Sequence, residues 1–142
     1  MKQKIAITVD VVIFKKIGNS SEILLIKRKS EPFKDKWALP GGFLEVTESL
    51  KEGAKRELKE ETGVVVEDLV QIKAYGDVDR DPRGRTISVA FIGFVEKEVE
   101  IKAGDDAKEV AWFFSDKLPS LAFDHSKIIK DAKKYLSEII NN

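Results

Sequence analysis

Residues 42–64, GFLEVTESLKEGAKRELKEETGV, decide how the chain is read: a glycine-led turn feeds a short helix that carries acid where a core-facing helix carries oil. Set at roughly 100° per residue, Leu50, Gly53, Ala54 and Leu58 share one sector, the face expected to pack against the rest of the chain. Glu57 and Glu61 fall inside that sector, Glu60 borders it, and Arg56 comes next round. Lys51, Lys55, Lys59 and Glu52 take the opposite, solvent-facing side. Carboxylates one turn apart repel, and partial burial raises that cost unless something positive compensates. Three clustered glutamates offer oxygen ligands suited to a hard divalent cation, Mg²⁺ first and Mn²⁺ second. The alternative is a helix whose Glu–Lys and Glu–Arg pairs only keep it soluble, and the phase of the acids argues against it.

The helix ends are also written in the chain. Ser49 with Glu52 fits a capping box, while Thr47 as cap would put Glu48 in the first turn; the sequence leaves both open. Gly63 after Thr62 reads as a left-handed stop. The order Arg56 then Glu60 is the weaker helix-pair orientation, so helix stabilisation is a thin explanation for Arg56.

This segment resembles the Nudix box: Gly, five residues, Glu, seven residues, then Arg-Glu-aliphatic-any-Glu-Glu-any-Gly-aliphatic. Gly42, Glu48, Arg56, Glu57, Leu58, Glu60, Glu61, Gly63 and Val64 fill every fixed position. The resemblance implies a hydrolase that cuts diphosphates linked to another moiety, with an α/β (α+β) fold of the α/β/α sandwich type around a mixed sheet. It further implies that Gly42 offers its carbonyl, and Glu57, Glu60 and Glu61 their carboxylates, to metal. Arg56 would orient a metal-binding glutamate, and Glu48 would support the network. One departure is Glu45-Val46-Thr47, where many relatives carry a Pro-Gly turn.

Working outward, Ile5 to Phe14 is aliphatic on nearly every position, as in a strand buried on both faces. Gly18 to Ser21 marks a turn, and Glu22 to Arg28 a second strand, together a hairpin with a long loop. Arg28, at the strand end, is within the reach of a phosphate or simply solvated. Ser30 to Pro40 is irregular, with Trp37 as a core anchor. Strands are expected over Leu69 to Ala74, Arg85 to Val95 and Val110 to Phe114. An amphipathic helix should close the chain from about Asp124.

Between them, Asp79-Arg80-Asp81-Pro82-Arg83-Gly84-Arg85 is a charged turn whose three arginines can present planar donors to a diphosphate or stack on a base. The stretch resembles the matching segment of ADP-ribose pyrophosphatases in the Nudix family and of their ADP-ribose-sensing relatives, which points to substrate contact by Arg80, Arg83 or Arg85. Asp105, Asp106 and Glu109 sit where the family sometimes supplies an extra acid to activate water. His125, the single histidine, is a poor metal ligand alone; capping or core packing suits it better, and the resemblance keeps it near substrate.

Bulk properties bound the rest. At 142 residues, 42% hydrophobic and 35% charged, the chain is expected to form one domain over residues 1–142. With 25 basic and 25 acidic residues there is no net pull toward nucleic acid or an anionic membrane. No cysteine is present, which excludes thiol nucleophiles and thiolate zinc sites. No stretch is long enough to span a bilayer, and the N-terminal run is broken by Thr8 and Asp10, so a cytoplasmic location is expected. The expected reaction is Mg²⁺-dependent hydrolysis of ADP-ribose to AMP and ribose 5-phosphate on a small-molecule nucleotide, with homodimerisation left open. The alternatives are a triphosphate-sanitising pyrophosphatase and a non-catalytic ADP-ribose sensor.

Overall fold

Strand β1, Ala6–Ile17, runs through the centre of the molecule and is buried on both faces from Thr8 to Phe14. The computed structural model describes residues 2–96, 98–104 and 106–140. Along one edge β1 pairs in parallel with β6, Thr86–Val95, from Ala6 against Thr86 to Lys15 against Val95. Its other edge divides. The end over Phe14 to Ile17 pairs with β2, Ser20–Arg28, and the stretch Thr8 to Asp10 pairs with β4, Gly41–Phe43. The two halves of the sheet therefore part around the middle of β1. The gap takes β3, Trp37–Ala38, against β2, and Pro40 accepts a hydrogen bond from the Val11 N–H at 2.9 Å. β5, Val70–Tyr75, continues the sheet beyond β6, and β7, Ala107–Phe114, pairs with β2.

Because side chains alternate across a strand, the sheet builds two cores. Val9, Val11, Ile13, Leu24 and Phe91 face helix α1, Leu50–Thr62, where Ala54 and Leu58 meet them. Val12, Phe14, Ile23, Leu25 and Ile92 face helix α2, His125–Ile140, through Ile128, Ile129 and Ala132. The result is the expected α/β/α sandwich with a mixed sheet. Burying each large aliphatic side chain contributes about 1.5–3 kcal/mol.

Ser49 is the cap of α1. Its Oγ accepts from the Glu52 N–H at 3.1 Å while the Ser49 N–H donates to Glu52 Oε1 at 2.8 Å. Gly63 closes the helix at φ 79°, with its N–H on the Lys59 carbonyl. Trp37 packs edge-on against Phe113, 4.7 Å between ring centres, as a core anchor.

Three expectations need correction. The hairpin after β1 has a short turn rather than a long loop, since Ser20 and Ser21 keep pairing with Ile17 and Lys16 through their backbones. β7 starts at Ala107 rather than Val110, because its charged first residues pair along β2 while their side chains stay in water. The segment before the box is not wholly irregular: β3 and β4 form there because the parted sheet leaves backbone groups that must be satisfied.

Candidate active site

Arg56 organises the acids of α1. Its guanidinium donates to Glu48 Oε1 at 2.6 Å and Glu48 Oε2 at 2.9 Å, to Glu57 Oε1 at 2.7 Å and to Glu60 Oε2 at 3.1 Å. It also reaches the Phe43 carbonyl at 3.2 Å, tying the helix to β4. The Glu48 carboxylate is held down to a pKa of about 2 by this hydrogen bonding to Arg56, and the Glu48 contact in turn raises Arg56. One arginine thus fixes Glu57 from behind while leaving its other oxygen for the cleft.

Glu61, one turn further, is buried, and its Oε2 has no hydrogen-bond partner. Burial, and then the neighbouring Glu57 carboxylate, raise its pKa well above the usual range. An orphaned, buried carboxylate oxygen beside a second carboxylate is the donor set that a divalent cation would satisfy. The backbone beside it is shaped for the same purpose. A Cβ on Gly42 would come within 2.6 Å of Glu57 Oε2, and one on Gly41 within 2.1 Å of the Val9 carbonyl, so only glycine lets β4 approach this closely. Among the described residues no three acidic or imidazole side chains close into a cage. An open pair of carboxylates suits a hard divalent ion that keeps several waters.

These groups open onto a cleft of about 410 Å³ at the point where the sheet parts. Arg28, Arg80 and Arg83 line it, together with Asp106. Arg28 donates from Nε to the Pro32 carbonyl at 2.7 Å, which leaves its terminal nitrogens free of that contact, and its guanidinium lies 5.0 Å from the Phe123 ring. Burial and then the nearby Arg83 lower its pKa. Arg83 is steadied by Asp81 and sits 4.9 Å from the Phe43 ring and 5.4 Å from Phe123. Two guanidinium groups sharing one aromatic ring repel, and an anion placed between them relieves that repulsion.

Other expected site residues lie elsewhere. Glu60 is at the solvent edge of α1, its side chain 58% exposed, because the helix turns it past the cleft toward Arg56. Glu48 stands behind Arg56 rather than in the cleft. Arg80 is at the cleft but already bound to Asp124 through two hydrogen bonds, at 2.6 and 2.9 Å. Arg85 hydrogen-bonds the Gly76 carbonyl and lines an adjoining groove with Lys4 and Arg83. Glu109 is on β7, paired with Lys27 at 3.4 Å. Asp105 lies outside the described residues.

The sequence did not single out Asp10, Ser88, Phe43 or Phe123. Asp10 and Ser88 were legible only as polar interruptions in aliphatic strands. In the structure Ser88 Oγ donates to Asp10 Oδ2, and His125 Nε2 faces Asp10 Oδ1 at 3.4 Å. His125 heads α2, is buried, and accepts the Leu39 N–H on Nδ1 at 3.0 Å. It is therefore packed at a helix start, as expected, and also lines the cleft.

The profile of the NUDIX domain matches residues 4–132. The chain is 50% identical over 130 residues to an ADP-ribose pyrophosphatase of Methanocaldococcus jannaschii, an alignment covering 92% of this chain and 74% of that one. It is 38% identical to the ADPR responsive transcriptional repressor NtrR of Acinetobacter baylyi, covering 88% of this chain and 52% of the repressor. Its fold superposes with a TM-score of 0.89 and 30% identity on the NUDIX domain of Shewanella oneidensis NrtR complexed with ADP ribose, covering 95% of this chain and 90% of that domain. With Glu57 packed against Gly42 and the domain matched over most of its length, the chain belongs to the Nudix hydrolase family.

Proposed function

We propose that this chain hydrolyses ADP-ribose to AMP and ribose 5-phosphate, with a divalent cation, Mg²⁺ before Mn²⁺, held at the carboxylate pair. The observation that carries the reading is the orphaned Glu61 Oε2 beside Glu57, facing a cleft that Arg28, Arg80 and Arg83 line. The 50% identical pyrophosphatase supports the choice of substrate.

Glu57, Glu61 and the Gly42 carbonyl would hold the ion, with Glu60 reaching in from the solvent edge. When bound, such an ion neutralises diphosphate charge and acidifies water. The chain's own residues do the rest. Arg56 keeps Glu57 pointed at the site. Arg28 and Arg83 bind the diphosphate between them, with Phe123 as the surface against which they are aligned. The proton of the attacking water would pass to a box glutamate, Glu57 or Glu61, or to the loop acid Asp106 at the cleft. The same reading takes residues 1–142 as one catalytic domain working in the cytoplasm on a small nucleotide. Among the described residues no helix is long and apolar enough to cross a membrane.

The test is AMP release from ADP-ribose with Mg²⁺, in wild type, Glu57→Gln and Glu61→Gln. Each variant should fold normally and lose turnover by about 10²–10³-fold. Near wild-type rates in both remove these residues from the mechanism. The relative that is a repressor motivates a second reading, a sensor: stable ADP-ribose binding with Mg²⁺ and no AMP would establish that instead. Preference for an oxidised or noncanonical triphosphate in the same assay would mark a sanitising pyrophosphatase.

A further inference from the structure

The cleft floor carries a second acidic group that the box does not account for. Asp10 is 6% exposed, on the face of β1 turned toward α2, and lines the cleft. Its close partners are the Ser88 hydroxyl on Oδ2 and the His125 imidazole 3.4 Å from Oδ1. The imidazole Nδ1 accepts the Leu39 N–H, which leaves the proton of the neutral ring on Nε2, directed at Asp10. Burial lowers the pKa of His125, so the ring is neutral at pH 7. Asp10 is thus oriented by two uncharged donors, on β6 and α2, and each oxygen keeps lone-pair capacity beyond the one contact it makes.

That placement divides the cleft by charge. Arg28 and Arg83 with Phe43 and Phe123 stand at one side, the box carboxylates form a wall, and the Asp10 carboxylate, within the field of Arg80, forms the floor. A phosphate oxygen in direct contact with the floor would meet a like charge, which disfavours it there. What Asp10 accepts is a neutral donor, and the vicinal hydroxyls of a pentose present two donors at the spacing of one carboxylate. Aromatic rings alongside Arg28 and Arg83 are the complementary surface for a base and its diphosphate.

We infer that Asp10, oriented by Ser88 and His125, is a specificity-determining residue that accepts the hydroxyls of the terminal ribose, and so selects a sugar-capped diphosphate over a nucleotide ending in phosphate. The inference rests on the reading that this cleft takes a nucleoside diphosphate sugar. Asp10→Asn is close to isosteric. The serine hydroxyl can turn to accept from the new amide while the amide oxygen keeps the imidazole N–H, so the struts persist and the charge with its spare acceptors is lost.

Binding is measured by calorimetry with Mg²⁺, using the α,β-methylene analogues of ADP-ribose and of ADP so that no bond is cut. Wild type should bind the ribose-capped analogue about tenfold or more tighter than the ADP analogue, as hydrogen bonds to a charged acceptor allow. Asp10→Asn should bring the two to near equality by weakening only the capped analogue. Ser88→Ala, which leaves the carboxylate but frees one oxygen, should narrow the margin without moving the ADP analogue, and stands in if Asp10→Asn does not fold. Equal weakening of both analogues marks Asp10 as a structural strut and overturns the inference, as does a wild type with no margin. AMP release is read separately: a wild type that keeps the margin and releases no AMP defeats the hydrolase reading alone, and a hydrolase without the margin defeats this one alone.

Discussion

The two helices meet opposite faces of one sheet, yet the polar groups packed around them are treated in opposite ways. On the α2 side they are matched: Arg80 holds Asp124 with two hydrogen bonds, Tyr75 donates to Asp131 at 2.8 Å, and His125 bridges Leu39 and Asp10. On the α1 side Arg56 satisfies Glu48 and one oxygen of Glu57, but the buried Glu61 Oε2 is left with no partner. A satisfied network holds a shape, whereas an unsatisfied one raises the energy of the empty protein and returns it on binding. The α2 side is thus the frame of the cleft, and the α1 side is, under the proposed function, its reactive wall.

The largest effect should come from breaking the frame. The Arg80 side chain is 4% exposed and that of Asp124 21%, so Arg80→Ala strands a carboxylate at the head of α2. Losing one partner of a buried pair costs about 3–5 kcal/mol. Urea unfolding should show that loss. A cost below about 1 kcal/mol, the ordinary value for an exposed pair, would mean that the α2 side is no more a frame than the surface.

The reactive wall should respond in the opposite sense. In the metal-free protein, Glu61→Gln replaces a carboxyl whose ionisation burial and Glu57 both oppose, and should raise stability near neutral pH by on the order of 1 kcal/mol. The sign with pH follows. The pKa of Glu61 is raised on folding, so its contribution favours the folded state most below the ordinary carboxylate range and is lost as pH climbs toward the raised value. Mg²⁺ should then raise the wild-type melting temperature and leave that of Glu61→Gln nearly unmoved. A wild type that melts identically with and without the ion, over a range of pH, would make the empty wall a stable one and dissolve the contrast.

The reactive wall was the legible half. Glu57 and Glu61 could be placed because a 3.6-residue period fixes which acids share the apolar sector with Leu58, and the glycines mark where backbone comes close. Glu60 shows the limit: one residue shifts it by 100°, and only the structure shows it past the edge, on Arg56. The frame was opaque for a physical reason. Asp10, Ser88 and His125 lie far apart in sequence and meet through the parallel pairing of β1 with β6 and the docking of α2, which no local pattern encodes. Strands of aliphatic residues announce burial, but a single Asp within one says nothing of what it faces. The arginine loop fell between: its composition promised phosphate contacts, yet Arg80 is held by Asp124, Arg83 by Asp81 and Arg85 by the Gly76 carbonyl, and only Arg80 and Arg83 of the three line the cleft with Arg28.

The smallest effect asks what aims the wall. α1 is started by the reciprocal Ser49–Glu52 box and clamped in its middle by Arg56. Ser49→Ala removes the acceptor for the Glu52 N–H and should cost about 1 kcal/mol of stability. The clamp acts on the very residue that faces the cleft and reaches β4 besides, whereas the cap, a little over two turns before Glu57, only holds the helix start. Turnover at saturating Mg²⁺ should therefore stay within about twofold, since a cost spread over the helix end leaves the Glu57 geometry to Arg56. Unfolding and AMP release measured on the same preparation separate the two. Should turnover fall tenfold while stability falls by the expected amount, the direction of the acids is set from the helix start, and Arg56 serves to balance charge rather than to aim it.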